Sequence, residues 1–208
     1  MQIPIPTIKR FPSYLRLLKL YKKQGMIHIS ATMLANELGL KPIQVRKDIS
    51  CTGIEGRPRI GFEVEALIAM LEEQLGWDNS SEAILVGSGH LGSALARYEG
   101  FDGYGLKIIA SFDLNTAKVG TFLGEVPVFS MEKLPSFVLE NRIHIAIIAV
   151  PAQSAQDVAD LLVKSGILAI WNFAPVDIKV PGDIVLQRTD LAVSFAVLSA
   201  KVKRKMSD

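Results

Sequence analysis

The chain has 208 residues, 49% hydrophobic and 21% charged, a balance that excludes a disordered chain and leaves room for one large domain or two small ones. Its single cysteine excludes a disulfide framework and a cysteine-rich zinc site, and no apolar run approaches the roughly 20 residues that span a bilayer. The net charge of +2 is unevenly spread: residues 1–60 hold eleven Lys/Arg against three acids, and residues 61–208 hold twelve against eighteen.

A basic first part on an acidic remainder predicts an anionic polymer partner for the first part only. No secretory apolar segment opens the chain, so a cytoplasmic protein without membrane contact is expected.

Ile3-Pro4-Ile5-Pro6 is expected to be extended, because two prolines oppose a helix there. Lys9 and Arg10 follow, within reach of a phosphate backbone. Pro12 and Ser13 open a helix with Leu15, Leu17, Leu18 and Tyr21 on its apolar side and Gly25 at its close. Ile27-His28-Ile29 forms a short strand or extended link. His28 has no second ligand at metal-binding spacing, so no metal site is expected.

Thr32 is expected to cap a helix running through Leu38, with Leu34, Ala35 and Leu38 buried. Gly39 breaks it, Leu40 anchors the turn, and Pro42 stands at the start of a second helix over residues 43–50. That second helix turns Ile43, Val45 and Ile49 inward and exposes Gln44, Arg46, Lys47 and Asp48. Two short helices joined by a glycine turn, the second carrying Gln and basic residues, make a helix-turn-helix. Gln44 and Arg46 have side chains that match adenine and guanine edges, while Lys47 suits phosphate.

Residues 53–62 carry Gly53, Gly56, Pro58 and Gly61 between apolar positions, which predicts a β-hairpin wing with Arg57 and Arg59 at its tip, near a minor groove or flanking phosphate. Residues 64–75 form an amphipathic helix through Leu67, Ile68, Leu71 and Leu75. A winged-helix DNA-binding domain over residues 1–76 is therefore expected, with residues 77–81 as linker.

From residue 82 to 188 strands alternate with helices, the pattern of a Rossmann-type, doubly wound parallel sheet. Apolar residues 84–86 run into Gly87-Ser88-Gly89-His90-Leu91-Gly92, and residues 93–98 then form a helix. This strand, glycine loop and helix is the cradle for a dinucleotide pyrophosphate. Asp113 ends the second strand, residues 107–112, and lies 21 residues beyond Gly92. A carboxylate there accepts ribose hydroxyls and repels a 2′-phosphate, which favours NAD(H) over NADP(H). Residues 126–129 form an edge strand and residues 131–140 a helix. Residues 143–150 form an apolar strand whose end, Val150-Pro151, faces the nicotinamide half; His144, at the entry of this strand, is structural. A helix over 153–165, a strand over 167–173 and a last strand over 184–186 complete the sheet. An amphipathic helix over 190–205 ends the chain, and its apolar side calls for a partner or neighbouring domain.

The order of these parts resembles the redox-sensing transcriptional repressor Rex family over essentially the full length. The stretches that carry the resemblance are Gln44-Val45-Arg46-Lys47-Asp48-Ile49-Ser50, the loop Gly87–Gly92, Asn172-Phe173-Ala174-Pro175 and Thr189-Asp190-Leu191-Ala192-Val193. The resemblance implies a homodimer on palindromic operator DNA, released when NADH rather than NAD⁺ is bound. It also implies that the helix in residues 189–208 is swapped between subunits. It further implies a redox-sensing network of Arg16, Tyr98 and Asp190, with Tyr98 at the nicotinamide. The chain departs from the family at Cys51-Thr52, where an aromatic pair is usual, and at His90, where asparagine is usual. Cys51 is expected to be packed rather than redox-active.

Two other readings are weighed. An NAD-dependent oxidoreductase needs a general acid or base by the nicotinamide, and the residues after Val150 and Asn172 supply none; no enzyme activity is expected. A winged-helix regulator of another nucleotide is the second, because a glycine loop alone does not specify NAD.

Overall fold

Helical structure begins earlier than the prolines suggest. α1 (Ile5–Ile8) has Pro6 in its first turn, where an N–H would have no helical partner in any case, so of the extended lead expected over residues 3–6 Ile5 and Pro6 are helical while Pro4 is extended. The structure, a computed structural model, describes residues 3–78 and 81–207 and divides into two units, residues 1–79 and 80–208.

The first unit continues with α2 (Phe11–Lys23), β1 (His28–Ile29), α3 (Ala31–Leu38), α4 (Pro42–Ser50), β2 (Phe62–Glu63) and α5 (Val64–Leu75). Its core gathers Phe11, Leu15 and Leu18 of α2, Leu34 and Ala35 of α3, Val45 and Ile49 of α4, and Leu67 and Leu71 of α5. Each fully buried Leu or Ile contributes about 1.5–3 kcal/mol before the entropy of ordering it is subtracted. The cap of α3 is Ser30, whose Oγ accepts the Met33 N–H at 3.1 Å, not Thr32. Gly39 ends α3 in the left-handed region, φ 64°, so α4 can turn away after it.

Two positions of α4 reverse the expectation. Asp48 is buried, and Ile43 is exposed. The helix turns Val45, Asp48 and Ile49 to one side, at the i, i+3, i+4 spacing, and the geometry overrides the residues' polarity. The wing is also smaller than expected. The Arg57 N–H donates to the Gly61 carbonyl at 2.8 Å and the Gly61 N–H returns to the Arg57 carbonyl at 2.9 Å, closing a tight loop with Ile60 on its outside. Strand pairing falls instead between β1 and β2, antiparallel, His28 opposite Glu63.

The second unit is built on a seven-stranded sheet from β3 (Ser81–Val86), β4 (Leu106–Asp113), β5 (Phe122–Leu123), β6 (Val126–Ser130), β7 (Ile145–Ile148), β8 (Ala169–Asn172) and β9 (Val185–Arg188). Their order is β5-β6-β4-β3-β7-β8-β9. All neighbours are parallel except β5, which pairs antiparallel with β6 and takes the edge expected for residues 126–129. Ser81, placed in the linker by composition, already belongs to β3, while Asn79 and Ser80 of that linker lie outside the described residues.

Alternate residues of the strands feed opposite faces. Ile84, Val86, Phe112, Ala146 and Ile148 meet α7 (Leu134–Asn141) and α8 (Ala155–Lys164), while Leu85, Ile108 and Ile147 pack on the other side. Between the strands, α6 (His90–Ala96) starts three residues before its expected position. The expected helices at 131–140 and 153–165 each begin with a short 3-10 turn, Met131–Lys133 and Ala152–Ser154. The last helix, α9 (Leu191–Ser207), buries none of its described residues. Among the described residues no helix is long and apolar enough to cross a membrane.

Candidate functional site

Strand order reverses at β3, whose neighbours β4 and β7 lead the chain to opposite halves of the sheet. Ligands of such sheets bind beyond the strand ends at this reversal, and the glycine loop stands there. Gly87 has φ 103°, and a side chain on it would meet the Ala149 carbonyl at 2.5 Å and Val150 at 3.0 Å. A side chain on Gly92 would run into the Gly87 carbonyl, so only glycine lets α6 begin this close to β3. Gly89 faces open space instead, which leaves room over the loop for a diphosphate. Gly89 is also the N-cap of α6, and no side chain caps that end. First-turn N–H groups and the positive end of the helix dipole are therefore available to an anion. His90 and Leu91 occupy this turn, both exposed.

The loop is tied to the neighbouring strand. The Asp113 carboxylate accepts the Ser88 N–H at 2.8 Å, the Asn115 N–H at 2.8 Å and the Lys118 ammonium at 3.1 Å. Ser88 Oγ also pairs with the buried Ser111 Oγ at 3.0 Å. Burial alone pushes the Asp113 pKa up, but these N–H bonds and Lys118 outweigh it and hold the carboxyl below the ordinary aspartate value. The structure thus brings Gly87–Gly92, Asp113 and Val150 to one place, with exposed Pro151 following Val150. Lys118 and Ser111 escaped sequence reasoning; the Asp-x-Asn turn after β4 was the signal that this loop folds back on Asp113. The residues fit a dinucleotide: an anion cradle at the helix start, a carboxylate at the end of β4, and Val150 beside Gly87.

Tyr98 does not join them within one chain. It lies beyond the far end of α6, half-exposed, edge-on to Phe101 at 5.0 Å. There it lines a cavity of about 840 Å³ with Leu106 and Val126, at the starts of β4 and β6. Asp113 is at the other end of β4. Tyr98, expected at the nicotinamide, thus stands at the opposite end of α6 from the glycine loop of its own chain. Asp190 accepts the Ala192 N–H at 2.8 Å at the start of α9, and Arg16 donates to Ser13 Oγ at 3.2 Å in its own helix. Thr189, beside Asp190, accepts the Trp171 indole N–H at 2.7 Å, which fastens the base of α9 to the sheet. The Asn172 side chain accepts the Ala174 N–H and donates to the Val176 carbonyl, both at 2.9 Å, so this motif shapes the loop after β8.

In the first unit α4 exposes Arg46, Lys47 and Ser50, with Gln44 half-buried. The guanidinium of Arg10, expected near phosphate, holds the Asp48 carboxylate through Nε and Nη2 at 2.6 Å each, and its side chain stays 26% exposed. Lys9 is exposed, as are Arg57 and Arg59, the latter at φ 65° in the tight loop. The Cys51 thiol is half-buried and bonds the Lys47 carbonyl at 3.2 Å. Among the described residues no group of three or more His, Cys, Asp or Glu could hold a metal ion.

A helix-turn-helix with a small wing, followed by a Rossmann-type sheet with a glycine loop at its switch point, defines a nucleic-acid-binding unit joined to a dinucleotide-binding unit. Comparison with known proteins agrees on both. A family model described as "CoA binding domain" matches residues 78–176, and one described as "Putative DNA-binding protein N-terminus" matches residues 2–50. The redox-sensing transcriptional repressor Rex of Treponema denticola is 44% identical over 96% of this chain and 95% of its own. That of Bacteroides fragilis is 43% identical over 95% and 90%. The crystal structure of RSP in complex with β-NAD⁺ and operator DNA superposes with a TM-score of 0.93 at 34% identity, covering 99% of this chain and 95% of that one. RSP with β-NADH gives 0.87 at 33%, covering 99% and 97%. The chain belongs to the Rex family of redox-sensing transcriptional repressors.

Proposed function

We propose that the chain is a transcriptional repressor that reads the NADH/NAD⁺ ratio, holding operator DNA when NADH is low and releasing it when NADH binds. The observation that carries this is one chain bearing both an exposed basic recognition helix, with Arg46 and Lys47, and a glycine loop pinned to Asp113. Its relatives are named repressors, and RSP has been crystallised with operator DNA, NAD⁺ and NADH. The working division is a DNA-binding domain over residues 1–76, an NAD(H)-binding domain over 82–188 and a dimerisation helix over 189–208, acting in the cytoplasm.

In this reading Gly87, Ser88, Gly89, His90, Leu91 and Gly92 hold the diphosphate, Asp113 the adenosine ribose, and Val150 and Pro151 the nicotinamide half. Lys9, Gln44, Arg46, Lys47, Arg57 and Arg59 face DNA. Bound NAD(H) supplies a ring that is cationic when oxidised and neutral when reduced, so charged neighbours separate the two forms. Arg16, Tyr98 and Asp190 form that network, and since Tyr98 stands a helix length from its own loop, two copies complete it. Leu191, Phe195 and Leu198 are 70%, 68% and 57% exposed on α9, an apolar stripe suited to a second copy. A two-fold dimer then requires a palindromic operator. A gel-shift or anisotropy titration across NADH:NAD⁺ ratios tests the reading: DNA affinity falls as NADH rises. Equal affinity at every ratio sinks the redox sensor and leaves a regulator of some other nucleotide.

A further inference from the structure

Asp48 is 1% exposed on the helix offered to DNA, while Ile43 on the same helix is 58% exposed. Both invert what an amphipathic helix asks for. Asp48 is saturated by donors: Oδ1 accepts from Thr7 Oγ1 at 3.1 Å, Arg10 Nη2 at 2.6 Å and Gln44 Nε2 at 2.9 Å. Oδ2 accepts from Arg10 Nε and Tyr14 OH, each at 2.6 Å. A carboxylate beside a guanidinium only accepts, so only the NH₂ end of the Gln44 amide can face it. The carbonyl oxygen Oε1 is turned away from Asp48. The amide keeps a second N–H, but the bond to Asp48 fixes which side carries nitrogen and which carries Oε1.

A carbonyl acceptor held in one sense next to an exposed apolar side chain, Ile43, suits an A·T pair better than a G·C pair. In the major groove A·T shows an amino donor on adenine together with the thymine methyl, whereas G·C shows an amino donor and no methyl. We propose that Gln44 and Ile43 together read an A·T pair, Gln44 Oε1 accepting from the adenine amino group and Ile43 packing on the thymine methyl, with Asp48 as the positioning residue. The inference rests on the proposed DNA-binding role of α4. Exposed Arg46 and Lys47 are left for guanine and phosphate.

The full-length protein with NAD⁺ is first used to select an operator from randomised duplex DNA. Each A·T pair of the selected site is then altered by single groups: thymine to uracil removes only the methyl, and adenine to purine removes only the amino group. At one pair per half-site the wild type loses about tenfold on amino removal, the worth of one good base contact, and several-fold on methyl removal. Gln44→Ala abolishes the amino penalty and Ile43→Ala the methyl penalty. Asp48→Asn abolishes the amino penalty although Gln44 is present, and keeps the methyl penalty and NADH affinity. A uniform loss on all duplexes by Asp48→Asn, or an unchanged amino penalty, overturns its positioning role. If Asp48→Asn does not fold, the two α4 variants decide alone: penalties that persist in them overturn the readout. A selection yielding no consensus removes the DNA-binding reading itself, whereas a consensus without these penalties removes only the A·T assignment.

Discussion

The Asp113 carboxylate accepts the backbone N–H of Ser88 at 2.8 Å, so the residue proposed to hold the ribose also ties down the glycine loop. Two tasks thus share one side chain. Removing it both strips a ligand contact and frees a loop amide that it orders. Asp113→Ala is expected to weaken NADH binding about 10- to 100-fold, since bonds to charged groups contribute about 1.5–3 kcal/mol each. NADH fluorescence titration measures this, with operator affinity in the absence of NADH unchanged.

Lys118 lies 3.1 Å from the same carboxylate and offsets part of its negative field. In the proposed site that field opposes a 2′-phosphate. Lys118→Ala is therefore expected to lower NADPH affinity more than NADH affinity, raising the selectivity between them several-fold. Competition titrations with both nucleotides check it. A fall in both affinities alike would make Lys118 a general anion contact instead.

Gly92 leaves no space for a methyl group, because a Cβ would strike the Gly87 carbonyl. Gly92→Ala must push α6 away from β3 and open the anion cradle. NADH binding is expected to be lost while α1–α5 keep their fold, so operator binding persists but no longer responds to NADH. Far-UV circular dichroism and anisotropy on the same sample separate the two effects.

Arg46 and Lys47 are exposed on α4, and their proposed DNA contacts differ in kind. Arg46→Ala is expected to cost about 1–3 kcal/mol and to relax preference at one base pair, with NADH affinity unchanged. Lys47→Ala should weaken all duplexes alike and reduce the salt slope of binding by about one. Affinities measured across salt concentrations and operator variants distinguish the two roles.

Asp48 ties acid stability to the first unit. Burial pushes its pKa up, yet bonds from Arg10, Tyr14, Gln44 and Thr7 together hold it below the ordinary value. The folded carboxyl is thus a stronger acid than the unfolded one, whose pKa is about 3.9. The stabilisation it supplies is complete above that value and is lost as pH falls through the folded pKa. Wild-type stability in urea should fall below about pH 4, where Asp48→Asn, weaker at neutral pH, should show a flatter acid limb.

The sequence by itself determined the parts that depend on local pattern. Helical spacing placed α5 at both its ends, the apolar runs placed the parallel strands, and Gly87–Gly92 after β3 located the nucleotide end of the sheet. The charge contrast between residues 1–60 and the rest points to an anionic polymer partner for the first part. What failed was everything settled by a partner far along the chain. Arg10 and Asp48 read as exposed charges in the sequence, and only folding across a separation of 38 positions brings them together. Ile43 looked like core because apolarity was the only guide to which side of a short helix faces in. Tyr98 read as close to the glycine loop because it follows it closely in the chain, but the sequence does not show that α6 leads it away from that loop. Only the packed structure decides these, because burial and pairing are properties of neighbours in space, and a charge goes inside when several donors meet it there.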